Sequence, residues 1–176
     1  MKKRAAFLDR DGVINKSILE NGLPKPPSNI NDVLILDGVI ESIEILFKNG
    51  FVPIVITNQP DVARGNRLVN DVNLINEKIA KLTKIEHFYS CFHDDLDNCK
   101  CRKPKAGMIL QAVSDLNIDV SKSFLVGDRW KDIEAGQKMS ISSYFIDYEY
   151  PELRPEMPFI RVCSLLEAVV MECKIQ

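Results

Sequence analysis

The feature that most constrains the fold of this chain is a short apolar run, residues 5–8, that ends in Asp9-Arg10-Asp11-Gly12. A short continuous apolar run before a turn is typical of a strand buried on both faces, the kind found in parallel sheets. Ligands of such sheets bind outside the carboxyl ends of the strands, so this strand would bring two carboxylates to that edge. The alternative is a solvated turn, because Asp and Gly are common turn residues.

Polar residues also follow two later strand candidates, and they favour a binding site over a solvated turn. Thr57-Asn58-Gln59 follows residues 52–56, whereas Gly127-Asp128, with Asp132 four residues on, follows residues 123–126. A basic stretch, Arg102-Lys103-Pro104-Lys105, lies between them. Gathered carboxylates repel one another unless a cation offsets their charge. Oxygen ligands favour Mg²⁺ over a softer ion, so the pattern predicts a magnesium-dependent enzyme.

The chain alternates between strand-like and helix-like segments. Strands are predicted near residues 5–9, 52–57, 86–92, 123–127 and 143–147, with a weaker candidate at 159–162. Helices are predicted at residues 39–49, 70–82, 105–116, 132–139 and 164–172. This alternation predicts a doubly wound, three-layer, Rossmann-like α/β sandwich with a mainly parallel sheet. We expect a single domain over residues 1–176, with no insertion large enough for a cap domain.

Residues 15–32 are rich in Gly and Pro, and we predict no regular element there. Because the stretch begins directly behind the first acids, it would be an active-site loop. A plain surface connection is the alternative.

Composition excludes several classes of function. The net charge is −2 and no basic or acidic block dominates, which argues against a nucleic-acid partner or a membrane surface and leaves only a local basic site. The apolar stretch behind the charged N-terminus is too short for an export signal, and no apolar run is long enough to span a bilayer. We therefore expect a cytoplasmic protein whose cysteines are thiols or metal ligands. No long apolar stripe suggests an interface, so we expect a monomer.

Four soft ligands lie within eleven residues: Cys91, His93, Cys99 and Cys101. Alternate residues of an extended segment point the same way, so each half of this CxH and CxC pattern presents two ligands together. Three thiolates and an imidazole fill a tetrahedral zinc site and leave no position for water, which predicts a structural zinc loop at residues 91–101. The alternative is a set of thiols with an incidental histidine. We interpret Cys163 and Cys173 as helix or core cysteines and His87 as a structural strand residue.

Together these motifs resemble the haloacid dehalogenase superfamily of phosphatases over nearly the full length of the chain. The motifs are FLDRDGVIN at residues 7–15, TNQ at 57–59, CxH followed by CxCRKPKxGM ending at Met108, and GDRWKD at 127–132. Their combination is similar to the small, capless, zinc-containing group within that superfamily.

The resemblance implies a catalytic role for each acid. Asp9 would attack phosphorus and form an aspartyl-phosphate, and Asp11 would be the general acid and then the general base. Asp9, the backbone carbonyl of Asp11, and Asp128 would hold Mg²⁺.

The resemblance also implies roles for the polar and basic residues. Thr57, Asn58 and Gln59 would bind the phosphorylated substrate, and Lys103 would neutralise charge in the transition state. Asp132 would orient Lys103 or a metal-bound water. Arg102 and Arg129 would recognise the substrate beyond the reacting phosphate, although Arg129 could equally form a surface ion pair; Arg64 is a weaker candidate.

The substrate would be a small phosphorylated metabolite, and the group favours a sugar bisphosphate such as a heptose bisphosphate. Pro60-Asp61 and Asp37-Gly38 depart from the pattern of the heptose enzymes, which have Ser-Gly and Pro-Gly there. Histidinol phosphate is the first alternative substrate. A nucleic-acid 3′-end phosphatase and a zinc-stabilised binding module without activity are the others; the first lacks a basic, aromatic groove, and the second would not need every reacting group.

Overall fold

The computed structural model describes residues 2–174 as a six-stranded sheet, a small hairpin and five α-helices. The strands are β1 (Arg4–Leu8), β2 (Ile18–Glu20), β3 (Leu23–Lys25), β4 (Phe51–Asn58), β5 (His87–Cys91), β6 (Phe124–Gly127), β7 (Ser142–Ile146) and β8 (Ile160–Val162). The helices are α1 (Val39–Lys48), α2 (Val69–Thr83), α3 (Gly107–Leu116), α4 (Trp130–Gln137) and α5 (Leu165–Cys173). Each strand and helix predicted from the sequence is present, with ends that differ by at most two residues.

The main sheet has the order β5-β4-β1-β6-β7-β8, and every neighbouring pair is parallel. The chain runs outward from β1 to β4 and β5 and then crosses to β6 on the opposite side of β1. The direction of winding therefore reverses at β1, and such a switch point opens a crevice at the carboxyl ends of the strands. Asp9 lies at this point, between the ends of β4 and β6.

The sheet separates two hydrophobic cores, which gives the three layers predicted from the sequence. On β1, Ala6 and Leu8 face a core that includes residues of α1, α2 and α5. Ala5 and Phe7 face the opposite core, which includes residues of α3 and α4. All four side chains are buried, because a central parallel strand is covered by helices on both sides.

Residues 15–32 contain regular structure, so the prediction of an irregular segment is wrong. β2 and β3 form an antiparallel hairpin, followed by a short 3₁₀ helix at Ile30–Asp32. Asn21 and Gly22 turn the hairpin with φ values of 53° and 78°, the left-handed pair that suits a two-residue turn. Pro24 is tolerated because a two-stranded ladder leaves each strand with an unpaired edge.

Two further sequence interpretations concern residues away from the sheet ends. Cys173 lies in α5 and packs against a core, as predicted, but Cys163 is exposed and precedes that helix, so it is not a core or helix cysteine. His87 is a partly buried residue of β5.

Among residues 2–174, no helix combines the length and the apolar character that crossing a membrane would require.

Candidate active site

A polar cleft lies at the carboxyl edge of the sheet, where the ends of β1 and β4 meet residues of three other segments. Its lining comprises Asp9, Asp11, Pro24, Lys25, Pro26, Thr57, Asn58, Pro60, Arg102, Lys103, Arg129, Lys131 and Asp132. Most of the site residues predicted from the sequence are therefore brought together. The β2–β3 hairpin supplies one wall, as expected for an active-site segment at residues 15–32.

Lys103 is buried between two carboxylates. Its Nζ lies 2.7 Å from Asp9 Oδ1 and 2.6 Å from Asp132 Oδ1, and it also donates to the carbonyl of Ile56 at 2.7 Å. Burial alone would lower the pKa of Lys103, but attraction to Asp132 and Asp9 outweighs it, and the net pKa is raised. Lys103 is therefore a permanent cation beside Asp9.

The surroundings of Asp9 disfavour the charged form of its carboxylate. Burial and the charge of Asp132 raise its pKa to about 6, even though Lys103 acts in the opposite direction. A buried acid with a raised pKa gains from a further nearby cation, because that cation stabilises the charged form. A divalent cation bound beside Asp9 would therefore lower its pKa again and favour the carboxylate.

Asp128 supplies a carboxylate oxygen that no other group satisfies. Oδ2 accepts a hydrogen bond from the Tyr150 hydroxyl at 3.1 Å, whereas the buried Oδ1 has no partner among the described residues. Burial, followed by the charges of Asp9 and Asp132, raises the pKa of Asp128 well above its usual value. Gly12, at φ +95°, allows this packing because a Cβ there would overlap the Asp128 carboxylate.

The acidic cluster fits a divalent cation with oxygen ligands. Asp9, Asp128 and Asp132 are all buried, and one oxygen from each lies within 4.8 Å of the others. Asp132 already uses Oδ1 for Lys103 and Oδ2 for the Arg129 backbone N–H at 3.0 Å. The uncommitted oxygen of Asp128 and the side chain of Asp9 are thus the better ligands, and Asp132 is placed to orient Lys103.

Asp11 is held by four donors. Arg10 donates from Nε to Oδ1 at 3.2 Å and from Nη2 to Oδ2 at 2.8 Å, Asn15 donates to Oδ1 at 3.0 Å, and Gln59 donates to Oδ2 at 2.9 Å. Neither Arg10 nor Asn15 was predicted from the sequence to be a site residue. Both lie within the DRDGVIN motif, so a search for donors near the second acid could have found them.

The three residues of the TNQ motif at the end of β4 occupy two different positions relative to the cleft. Thr57 and Asn58 line the cleft, and the Asn58 side chain is fixed by two 3.0 Å hydrogen bonds with the backbone of Lys103. Gln59 does not line the cleft. Its amide donates to Asp11 and, at 2.8 Å, to Thr57 Oγ1. Gln59 therefore holds the side chains of two cleft residues in position.

Arg102 and Arg129 line the cleft, and each is paired with a carboxylate of the chain. Arg102 donates from Nε to Asp95 Oδ1 at 2.7 Å, and Arg129 donates from Nε to Glu152 at 3.0 Å. Arg129 therefore forms an ion pair with Glu152 and also lines the cleft. Arg64 lies outside the cleft lining and pairs with Asp94 and Asp61, which does not support a role in binding substrate.

The predicted zinc ligands Cys91, His93, Cys99 and Cys101 form one cluster. The recorded separations between Sγ atoms, and between Sγ and the His93 Nδ1 atom, range from 3.2 to 3.8 Å. Ligands at tetrahedral zinc, with Zn–S of about 2.3 Å, stand roughly 3.5–3.8 Å apart. The cluster is thus compatible with a structural zinc ion.

The cysteine cluster is connected directly to the cleft. Cys99 Sγ accepts a hydrogen bond from the Arg102 backbone N–H at 3.4 Å, and Asp95, in the loop between the two pairs of ligands, holds the Arg102 side chain. A metal in the cluster would therefore fix the position of Arg102 and of the adjacent Lys103.

The segment after β7 contributes site residues that were not predicted from the sequence. Tyr148 and Tyr150 donate hydrogen bonds to Gly12 and Asp128, and Glu152 pairs with Arg129. No motif marks this segment, and only its position after the carboxyl end of a predicted strand could have indicated it.

The fold is similar to that of solved phosphatases. A D,D-heptose 1,7-bisphosphate phosphatase from B. bronchiseptica, complexed with magnesium and phosphate, has a TM-score of 0.82 and 21% identity, with 98% of this chain and 99% of that chain covered. A D,D-heptose 1,7-bisphosphate phosphatase from Burkholderia thailandensis has a TM-score of 0.67 and 20% identity, with 96% and 97% covered. The fold is thus that of the haloacid dehalogenase-like phosphatases.

Sequence comparison gives the family. The HAD-hydrolase-like family matches residues 100–148. The D-glycero-alpha-D-manno-heptose-1,7-bisphosphate 7-phosphatase of Campylobacter jejuni is 34% identical over 151 residues, which cover 83% of each chain. The D-glycero-beta-D-manno-heptose-1,7-bisphosphate 7-phosphatase of Pasteurella multocida is 34% identical over 152 residues, which cover 80% of this chain and 79% of the relative. This chain belongs to the family of heptose-1,7-bisphosphate 7-phosphatases within the haloacid dehalogenase-like phosphatases.

Proposed function

We propose that this protein is a Mg²⁺-dependent phosphomonoester hydrolase that removes the 7-phosphate of D-glycero-D-manno-heptose 1,7-bisphosphate or a related sugar bisphosphate. The observation that carries the proposal is the buried Lys103 between Asp9 and Asp132, in the same cluster as the unsatisfied Asp128 oxygen. This arrangement supplies a nucleophile, a fixed cation and a free metal ligand at one point.

In this proposal Asp9, the backbone carbonyl of Asp11, and Asp128 hold Mg²⁺. The ion supplies positive charge that shields the Asp9 carboxylate from the negative phosphate. The raised pKa of Asp9 and the unpartnered Asp128 oxygen support this set of ligands, because both favour a cation at that place.

The Asp9 carboxylate attacks phosphorus, and the bond from phosphorus to the sugar oxygen breaks. Asp11 donates a proton to the departing alkoxide, which leaves as the alcohol, and Asp9 carries the phosphoryl group as an aspartyl-phosphate. Asp11, now ionised, takes a proton from water as that water attacks phosphorus. Phosphate leaves and Asp9 is regenerated. The four donors around Asp11 hold its carboxylate at the cleft.

The remaining cleft residues bind and position the ester. Lys103 neutralises charge on the transferring phosphoryl oxygens, held in place by Asp132. Thr57 and the backbone at Asn58 donate to the same oxygens, with Gln59 as their support. Arg102 and Arg129 contact the substrate beyond the reacting phosphate.

A sugar bisphosphate is favoured over histidinol phosphate. The relatives that cover most of this chain are named for heptose bisphosphates, and the cleft contains two arginines that could meet a second phosphate. All the proposed reacting groups lie in one cleft, which also argues against a binding module without activity.

A panel of phosphorylated metabolites assayed with Mg²⁺ tests the proposal. We expect kcat/KM for heptose 1,7-bisphosphate to exceed that for histidinol phosphate, heptose 7-phosphate and a 3′-phosphorylated oligonucleotide. Asp9→Asn, purified in parallel, is the control for contaminating phosphatases. A clear preference for histidinol phosphate would overturn the proposed substrate. If no ester in the panel were hydrolysed in a Mg²⁺-dependent way, the proposal that the protein is a phosphatase would be refuted.

We also propose that zinc at the cysteine cluster is structural, that residues 1–176 form one domain, and that the protein works as a cytoplasmic monomer. None of the five cysteines forms a disulfide, and three of them lie in the metal-type cluster, which suits a reducing compartment.

A further inference from the structure

The segment directly after β7, residues 148–152, contacts both loops of the acidic cluster, and the proposed chemistry assigns it no role. The hydroxyl of Tyr148 donates to the carbonyl of Gly12 at 3.0 Å. The hydroxyl of Tyr150 donates to Asp128 Oδ2 at 3.1 Å. The two rings lie against each other, with centroids 5.5 Å apart and a 33° angle between their planes.

The Asp128 carboxylate depends on Tyr150 for its orientation. Within residues 2–174, the Tyr150 hydroxyl is the single hydrogen-bond donor recorded to this carboxylate, and it engages Oδ2 alone. A carboxylate is planar, so fixing one oxygen fixes the direction of the other. The bond to Tyr150 therefore determines where the unpartnered Oδ1 points.

The segment that carries Tyr150 is itself anchored at both ends. Before it, the Asp147 carboxylate accepts a hydrogen bond from the Glu149 backbone N–H at 2.8 Å and pairs with Arg154 and Arg161. After it, Glu152 accepts from Arg129 Nε at 3.0 Å. Tyr150 thus acts on Asp128 from a segment whose position is set by charge pairs on either side.

We propose that Tyr150 is a positioning residue for the metal site, which orients Asp128 so that Oδ1 is presented to the divalent cation. The inference rests on the proposed function, since that function assigns Asp128 to the metal. Donors to the carboxylates that ligate a metal commonly change metal affinity by 10- to 100-fold when they are removed. Tyr150 does not contact the reacting phosphate in this role; it acts through Asp128.

Tyr150→Phe removes the hydroxyl and keeps the ring that packs on Tyr148. We expect the dissociation constant for Mg²⁺ alone, measured by titration calorimetry without substrate, to rise by about tenfold or more. The Mg²⁺ concentration for half-maximal activity should rise by the same factor, whereas kcat at saturating Mg²⁺ should change less than threefold. The mutation would thus act on metal binding more than on the chemical step.

Tyr144→Phe is the matched control. Tyr144 also donates its hydroxyl to a carboxylate, Glu172 Oε2 at 2.8 Å, but this pair joins β7 to α5 away from the cleft. We expect Tyr144→Phe to leave the Mg²⁺ dissociation constant within twofold of the wild type. A similar loss of affinity in both variants would show a general effect of removing a tyrosine hydroxyl and would overturn the inference.

Asp128→Asn separates a failure of this inference from a failure of the proposed function. If wild-type protein binds Mg²⁺ and Asp128→Asn weakens that binding while Tyr150→Phe leaves it within twofold, the metal site stands and the role of Tyr150 is refuted. If Asp128→Asn also leaves Mg²⁺ binding unchanged, the assignment of the metal site is wrong and the inference falls with it.

Discussion

The guanidinium group of Arg10 grips the carboxylate of Asp11 in a two-point contact, from Nε to Oδ1 and from Nη2 to Oδ2. Arg10 is fully buried, and its Nη1 also donates to Asn76 at 2.9 Å. The residue between the two acids of the DRDG motif therefore points into the protein and connects the second acid to α2.

We predict that Arg10 and Asp11 are energetically coupled. Arg10→Met should lower the free energy of unfolding by about 3 kcal/mol, because it leaves a largely buried carboxylate without its cation. A double-mutant cycle with Asp11→Asn, followed by urea denaturation without metal, should give a coupling energy of about 2 kcal/mol. Strictly additive effects would show that the two-point contact contributes nothing to stability.

Asp9→Asn should abolish turnover and preserve the fold. An amide has nearly the same shape as a carboxylate but is not a nucleophile, so the hydrolysis rate should fall on the order of 10⁴-fold or more. Phosphate release measures the rate, and circular dichroism checks the fold. A rate near that of the wild type, in protein free of contaminating activity, would rule out Asp9 as the nucleophile.

Lys103→Met should destabilise the metal-free protein by about 3–5 kcal/mol, because Asp9 and Asp132 would lose the cation between them. Lys122→Met is the control, since Lys122 forms an exposed ion pair with Asp119 and its side chain is 68% exposed. Exposed pairs contribute about 0–1 kcal/mol, so this variant should unfold near the wild-type midpoint. Equal stability losses in the two variants would contradict the buried charge balance around Lys103.

Mg²⁺ affinity should increase with pH through the range in which Asp9 ionises. Its pKa of about 6 lies above the ordinary value of 3.8, so below pH 6 the folded protein holds a proton that the cation must displace. We expect the association constant, measured by calorimetry, to rise by up to about tenfold per pH unit between pH 5 and 6. Asp128, whose pKa burial also raises, should extend this rise to higher pH. A constant affinity over this range would show that no such proton is displaced.

Cys101→Ser should remove zinc and displace the cleft loop. We expect the zinc content, measured by mass spectrometry, to fall from one ion per chain towards zero, with a lower melting temperature and reduced phosphatase activity. The loss of activity would come from movement of Arg102 and Lys103. Cys163→Ser, at an exposed position outside the cluster, should keep zinc, stability and activity; loss of zinc in that variant would contradict the ligand set.

The sequence predicted the main sheet and its five helices well because their signals are local. Residues 5–8 and 124–126 are continuous apolar runs, and each is followed by an acid that belongs to the cluster. The hairpin at residues 18–25 was missed because its strands are three residues long and one contains Pro24. Its Asn21-Gly22 turn was the one signal that could have revealed it.

The candidate site was predictable where a motif combines spacing with chemistry, as in the acids, Lys103 and the four zinc-type ligands. Arg10 was not predicted to be a buried site residue, because an arginine between two acids belongs to no hydrophobic pattern from which burial could be inferred. Tyr148 and Tyr150 act through tertiary contacts with residues more than twenty positions away, and a single sequence holds no trace of such pairing.

The β2–β3 hairpin builds one side of the cleft from a ribbon that shares no strand with the main sheet. Substitutions in residues 18–25 would therefore change the lining of the cleft at Pro24 and Lys25, while Asp9 and Asp128 keep their places directly after β1 and β6. The wall on this side of the cleft and the acids assigned to the reaction are thus encoded by separate segments of the chain, so the wall can diverge by mutation without moving those acids.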